Sequence, residues 1–261
     1  MGVSVARQAR TEGGFVAHVT IDRAAKLNAL DRTQIADIID AMTQLAADPA
    51  LRLAVVTGAG GRAFIGGADI EELVALDADS ARAFITAVHV CCDAFRHLPV
   101  PAIARIDGYA LGAGLELAAA CDFRIASDRS VFGMPEVRIG LPSVVEAALI
   151  PLLIGPARAR KLLLTGDNIA AEEALAWGLV DRVVPPERLD GAVEELAASI
   201  LAAGPHAVRL QKSLILDWEE MHATAAVDRG IDAFVETFST DEPRRMTSAA
   251  RAAMQARRNP R

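Results

Sequence analysis

Two glutamates stand where a carboxyl group could do acid–base work. Glu116 lies within LELAAA, between Leu115 and Leu117 and before three alanines, a poor setting for a solvated acid. Glu136 follows Pro135, 20 residues further on. Paired carboxyls in an apolar cleft can hold different pKa values and divide the roles of acid and base. Each also has a plainer reading: Glu116 as a favourable charge in a helix first turn, Glu136 as a surface-loop acid. Two glycine loops, GGAD (66–69) and GAGLE (112–116), each follow an apolar stretch and precede a helical one. Glycine lets the backbone turn sharply and leaves N–H groups facing outward at a helix start. Two such groups aimed at one carbonyl oxygen would form an oxyanion hole. Two ordinary tight turns are the alternative.

Nucleotide-binding readings of these loops fail on their partners. GAGLEL lacks the third glycine of a dinucleotide fingerprint and lies too far into the chain for a first βα turn. TGAGG (57–61) hints at a short-chain reductase, but the only tyrosine, Tyr109, has Ala113 four residues on instead of lysine. Neither GxxxxGK[ST] nor GxSxG occurs.

The composition narrows the class of partner. The 261 residues are 52% hydrophobic and 23% charged, enough apolar surface for a sizeable core. With 27 Lys and Arg against 34 Asp and Glu, the net charge of −7 provides no broad positive field for nucleic acid or anionic lipid. Cys91, Cys92 and Cys121 lack metal-ligand spacing and read as buried, reduced thiols. The five histidines read as scattered structural residues, and no metal is expected. The start has no apolar signal segment, and no uncharged apolar run reaches about 18 residues. The expectation is a cytoplasmic protein without a membrane partner.

The elements that must position these residues follow from periodicity. FVAHVTI (15–21), LRLAVVTG (51–58), PAIARIDG (101–108), CDFRIAS (121–127) and LVDRVV (179–184) read as strands. Asp31 and Gln34 resemble a capping box before Ile35, Ile38, Ile39, Met42 and Leu45, an amphipathic helix. A longer helix begins near Asp79 and ends before Pro99. Ser143 and Glu146 suggest a second capping box, opening a helix kinked at Pro151 and closed by Gly155. After Pro185 the pattern is almost wholly helical. Strands alternating with helices to about residue 184, then a helical tail, predict an α/β core with a helical C-terminal subdomain. Oligomer contacts are one use for such a tail.

Taken together, RAAKLNAL (23–30), RAFIGGADIEEL (62–73), IDGYALGAGLELAAACDFRIA (106–126), VFGMPEVRIGLP (131–142), LLLTGDNIAAEEALAWGLVDRVVP (162–185) and FVETFSTDE (234–242) resemble the enoyl-CoA hydratase/isomerase, or crotonase, family. The resemblance runs nearly the whole chain from residue 15. It implies a spiral core of repeated ββα units over 1–198 carrying an acyl-CoA site. It further implies a helical trimerisation region over 199–261, in a homotrimer or a dimer of trimers.

By position, the resemblance implies backbone N–H donors at Ala68 and Ala113 and catalytic glutamates at Glu116 and Glu136. It places substrate and CoA contacts at Lys26, Ala68, Asp69, Ile70 and Ala113. Having both glutamates resembles the hydratases, whereas double-bond isomerases of the family generally keep only the second. The implied reaction is reversible addition of water to a trans-2-enoyl-CoA, with no cofactor beyond the CoA of the substrate. The alternatives are another acyl-CoA reaction of the family (isomerase, hydrolase or lyase) or a non-catalytic acyl-CoA-binding protein. Three departures stand out. PSVVEAALI (142–150) replaces the family's PGxGGxQRL, Glu71 stands where many members carry Lys, and PRRM (243–246) replaces a frequent EGM. Glu146 is thereby a third nearby acid, read as a capping residue.

Overall fold

A computed structural model of the protein describes residues 2–258; the outer ends of both expected domains, residues 1 and 259–261, lie outside the described residues. The chain divides into two compact units, Met1–Ala197 and Ala198–Arg261.

The first unit opens with strands β1 (Gly2–Ala9) and β2 (Phe15–Asp22), an antiparallel pair, followed by helix α1 (Arg32–Ala46). Strands β3 (Leu51–Gly58) and β4 (Ala63–Ile65) then precede helices α2 (Ile70–Val74) and α3 (Ala78–Arg96). Strands β5 (Ala102–Ile106) and β6 (Tyr109–Leu111) precede α4 (Ala113–Ala120). Strands β7 (Phe123–Ser127) and β8 (Val131–Gly133) precede two 3-10 turns, Pro135–Ile139 and Val145–Leu149, and helix α5 (Ile150–Thr165). Strand β9 (Ile169–Ala170), helix α6 (Ala171–Trp177) and strand β10 (Arg182–Val184) follow, and helix α7 (Leu189–Leu201) runs across the unit boundary.

The strands distribute between two sheets, β1-β2-β3-β5-β7-β10 and β4-β6-β8-β9. Thus β3, β5 and β7 enter the larger sheet, and β4, β6 and β8, their immediate successors, enter the smaller one. All these neighbours pair in parallel. Each ββα turn adds one strand to each sheet, and the repetition makes the spiral that the resemblance implied. Residues 51–56 of β3 are buried throughout, which explains why they are apolar apart from Arg52: a parallel strand covered on both faces needs no polar alternation. Strands β1, β4, β6, β8 and β9 are absent from the sequence reading. Each is short or polar, and β6 lies inside a stretch that reads as a glycine loop.

Helix α1 buries Ile35, Ile38, Met42 and Leu45, one face at helical spacing. Asp31 accepts the Gln34 N–H at 2.8 Å, so half of the expected capping box forms; Gln34 Oε1 is buried without a partner. Helix α3 is capped by Asp77 and Ser80 in a reciprocal box. Cys91, Cys92 and Cys121 are buried and outside any disulfide among the described residues, and burial pushes Cys91 up to about 12.

The expected box at Ser143 and Glu146 does not form. Val144 occupies the cap position of the 145–149 turn without a side-chain bond, while Ser143 and Glu146 bond elsewhere. Pro151 sits harmlessly in the first turn of α5, where its missing N–H would have no helical partner. The kink falls instead at Gly155 (φ 77°, ψ 159°), followed by Pro156, and the helix continues to a left-handed Gly166.

The second unit contains helices α8 (Pro205–Glu220), α9 (Ala223–Thr237) and α10 (Glu242–Arg258). The buried Glu242 carboxylate accepts the N–H groups of His206 and Ala207 at 3.1 and 2.9 Å, satisfying donors at the start of α8. Helix α9 leaves Val227, Ile231 and Phe234 exposed, and Phe238 just after it is exposed too. Among the described residues no helix is long and apolar enough to cross a membrane.

Candidate active site

Three successive strands of the smaller sheet end at one cavity. Beyond β4 lies GGAD, beyond β6 lie Gly112 and α4, and beyond β8 lies the turn bearing Glu136. The cavity, about 130 Å³, is lined by Gly67, Ala68, Gly112, Ala113, Glu116 and Glu136, with apolar walls from Ile70, Phe84, Val88 and Val144 among others. Of the sequence-derived candidates, Ala68, Ile70, Ala113, Glu116 and Glu136 therefore meet. Asp69 and Lys26 do not line it. Asp69 instead caps α2 through the Glu71 N–H and pairs with Arg23 at 2.5 Å. Lys26 pairs on the surface with Glu71 at 3.0 Å.

The GGAD loop is aimed by its backbone bonds. Gly66 N–H donates to Leu27 O (2.9 Å), Leu30 N–H to Gly67 O (2.8 Å), and Asp69 N–H to Leu30 O (2.9 Å). This is a parallel bridge between Leu30 and Ala68. In that pattern the flanking residues bond the neighbour strand, so the Ala68 N–H points away from Leu30. It donates no hydrogen bond among the described residues. Asn28 braces the arrangement from behind: fully buried, its amide donates to Ala59 O and Ala63 O and its oxygen accepts the Arg23 N–H.

The second candidate donor lies at a helix start. Gly112 takes φ 48° and ψ −123°, a conformation open to glycine but not to residues with a side chain. A Cβ at 112 would also stand 2.2 Å from Glu136 Oε1, so the Glu136 carboxyl lies directly on this glycine. The N–H groups of Leu115 and Glu116 return to Gly112 O, while that of Ala113, the first helical residue, has no partner among the described residues.

Both carboxyls are held in place. Glu116 is 4% exposed in an otherwise apolar helix. Burial, reinforced by the nearby charges of Glu136 and Glu146, pushes its pKa from an ordinary 4.5 up to about 8; the Ala147 and Val144 N–H groups act in the opposite direction. Glu136 accepts the Ser143 hydroxyl at 2.7 Å, and its own carbonyl accepts the Leu141 N–H. Ser143 is thus a site residue that sequence reasoning assigned to a cap. Phe84, Ile85 and Val88 also escaped notice, although their i, i+1, i+4 spacing on α3 marks an apolar face.

This fold is that of a class of acyl-CoA enzymes, and the chain belongs to it: residues 11–256 match the enoyl-CoA hydratase/isomerase family. A crotonyl-CoA hydratase of Syntrophomonas wolfei is 39% identical over 85% of this chain and 86% of its own length. A short-chain-enoyl-CoA hydratase of Clostridium acetobutylicum is 36% identical over 88% of each. Among solved structures, an enoyl-CoA hydratase from Bacillus anthracis superposes with a TM-score of 0.90, at 30% identity and 97% coverage of each chain.

Proposed function

We propose that the protein is an enoyl-CoA hydratase, adding water reversibly to a trans-2-enoyl-CoA. The observation that carries this reading is one apolar cavity lined by Ala68, Ala113, Glu116 and Glu136. In the proposed reaction the thioester oxygen sits between the Ala68 and Ala113 N–H groups. Glu116 takes a proton from water as its oxygen bonds to Cβ, and negative charge collects on the thioester oxygen. Glu136 delivers a proton to Cα; dehydration reverses both transfers. Each turn consumes one water and leaves the pair with the same total of protons. No metal or redox cofactor is needed, and the CoA arrives with the substrate. Lys26, next to the Leu27 that abuts Gly66, is the proposed cationic contact for CoA, with Asp69 shaping the loop beside it.

Loss of 2-enoyl-CoA ultraviolet absorbance with purified protein, with product identification across acyl chain lengths, tests the reading. A 3-hydroxyacyl-CoA product supports it. A shifted double bond, a free acid, a cleaved carbon chain or thermal stabilisation by ligand without turnover would each replace it with one of the rival readings.

The Ala113 donor has its own test. Proline fits the first position of a helix, so Ala113→Pro removes the N–H while keeping helical φ. Its kcat is expected to fall by about 10²–10³, as when one oxyanion donor is lost elsewhere, with Ala113→Ser staying near wild type. Equal rates in both variants would remove Ala113 from the hole.

The exposed apolar row on α9, together with the family, supports a homotrimer or dimer of trimers. Light scattering should read three or six chains; a monomer would refute it.

A further inference from the structure

Glu146 and His89 have no part in the reaction above. Glu146, 5% exposed, sits on the 145–149 turn, which packs on both α3 and α4. Its Oε1 lies 2.6 Å from Nδ1 of His89, 57 residues earlier on α3; its Oε2 is enclosed with no hydrogen-bond partner among the described residues. The preceding residue, Val145, has φ +42°, a left-handed conformation unfavourable for a β-branched side chain. Such strain persists only where surrounding contacts hold it.

The Glu116 carboxyl borders this same turn: the N–H groups of Val144 and Ala147 act on it, and so does the charge of Glu146. The ionisable groups around Glu146 are Glu116 from α4 and Cys91, Cys92 and Asp93 from α3, with Glu136 beyond Glu116. Asp93 is engaged by His97 Nδ1 at 2.7 Å, one turn further along the helix. The side chain of His89 is half exposed and connects the group to solvent.

We propose that His89 and Glu146 are positioning residues for Glu116: their bond clamps the strained turn against which the Glu116 carboxyl rests. The inference rests on Glu116 being a reacting acid, but its primary test does not need turnover. The clamp explains three facts together: a buried acid in an otherwise apolar stretch, a valine in a left-handed conformation, and a histidine reaching across from another helix. It also gives PSVVEAALI a purpose, since Val145 and Glu146 act as a unit.

The test is titration of the Glu116 carboxyl by ¹³C NMR, assigned with Glu116→Gln, in wild type, His89→Ala, His89→Asn and Glu146→Gln. Glu146→Gln keeps the shape but removes a like charge, so the Glu116 midpoint should fall by about one pH unit, a tenfold change in protonation. His89→Ala should also move the midpoint, and should lower kcat about tenfold with KM held within twofold. Asparagine can return a donor near the Nδ1 position, and His89→Asn should recover most of both. Folded Glu146→Gln and His89→Ala proteins whose Glu116 midpoint stays at the wild-type value would overturn the clamp. A moved midpoint in a protein without hydratase turnover would uphold the clamp and overturn the proposed reaction instead. His89 is half exposed, so its variants keep the test alive if Glu146→Gln fails to fold.

Discussion

Glu116→Gln and Glu136→Gln are each expected to lower kcat for enoyl-CoA hydration by about 10²–10⁴, the usual contribution of a positioned acid or base. Glutamine keeps the size and part of the hydrogen bonding of glutamate but cannot exchange a proton at its carboxyl position. Both acids serve one proton-transfer sequence, so the double variant should lose far less than the product of the single losses. The pH profile supplies a second reading. Addition of water leaves the proton count unchanged, so the working enzyme carries one proton on the pair in either direction. With Glu116 pushed up to about 8, that proton is held through neutral pH and lost above it. The values of kcat/KM for hydration and for dehydration should therefore fall together above pH 8. A profile flat to pH 10, or near-full activity in both single variants, would end the two-acid mechanism.

The same buried acid should make stability depend on pH in an uncommon direction. The folded protein keeps a proton on Glu116 that the unfolded chain releases near 4.5. Between 4.5 and about 8 the folded state thus binds more protons, and the free energy of unfolding falls as pH rises. The stabilisation is fully present below 4.5 and gone above the folded value. At 1.36 kcal/mol per unit, the rise corresponds to roughly 5 kcal/mol. Acids held below their ordinary range, such as Asp69 and Asp107, act in the opposite sense, at more acidic pH. The buried thiols enter only near pH 9. Denaturant unfolding at pH 5.5 and 8.5 isolates Glu116: wild type should lose several kcal/mol more than Glu116→Gln over that interval. Parallel losses in the two proteins would show that Glu116 titrates as an ordinary carboxyl.

The parts legible in the sequence were those whose signal is local. Glu116 announces itself as a charge in an apolar helix, and the loops at 66–69 and 112–116 by glycines after apolar stretches. The two-sheet spiral was legible only through resemblance, because β4, β6 and β8 span three residues each and carry no period of their own. The error at Ser143 and Glu146 has a definite cause. Their i, i+3 spacing is that of a cap, but Ser143 is drawn to Glu136 and Glu146 to His89. Spacing along the chain registers neither contact. His89 shows the same limit: its contact with Glu146 reaches another element, which spacing along the chain does not register. Lys26 and Asp69 show the converse, motif residues whose observed contacts are with Glu71 and with Arg23 and the α2 start.

The smaller sheet has a bearing on acyl preference. Strands β4, β6 and β8 are hydrogen-bonded side by side, and each hands over one working part at its end. On the proposed reading both amides and the second acid are thus anchored to strands bonded to one another. Adjustment to different acyl groups would then fall to the walls supplied by α2, α3 and Val144. On the proposed reading acyl preference can change at Ile70 or Phe84 without altering those strands, whereas Val144 is tied to Glu116 through its own N–H.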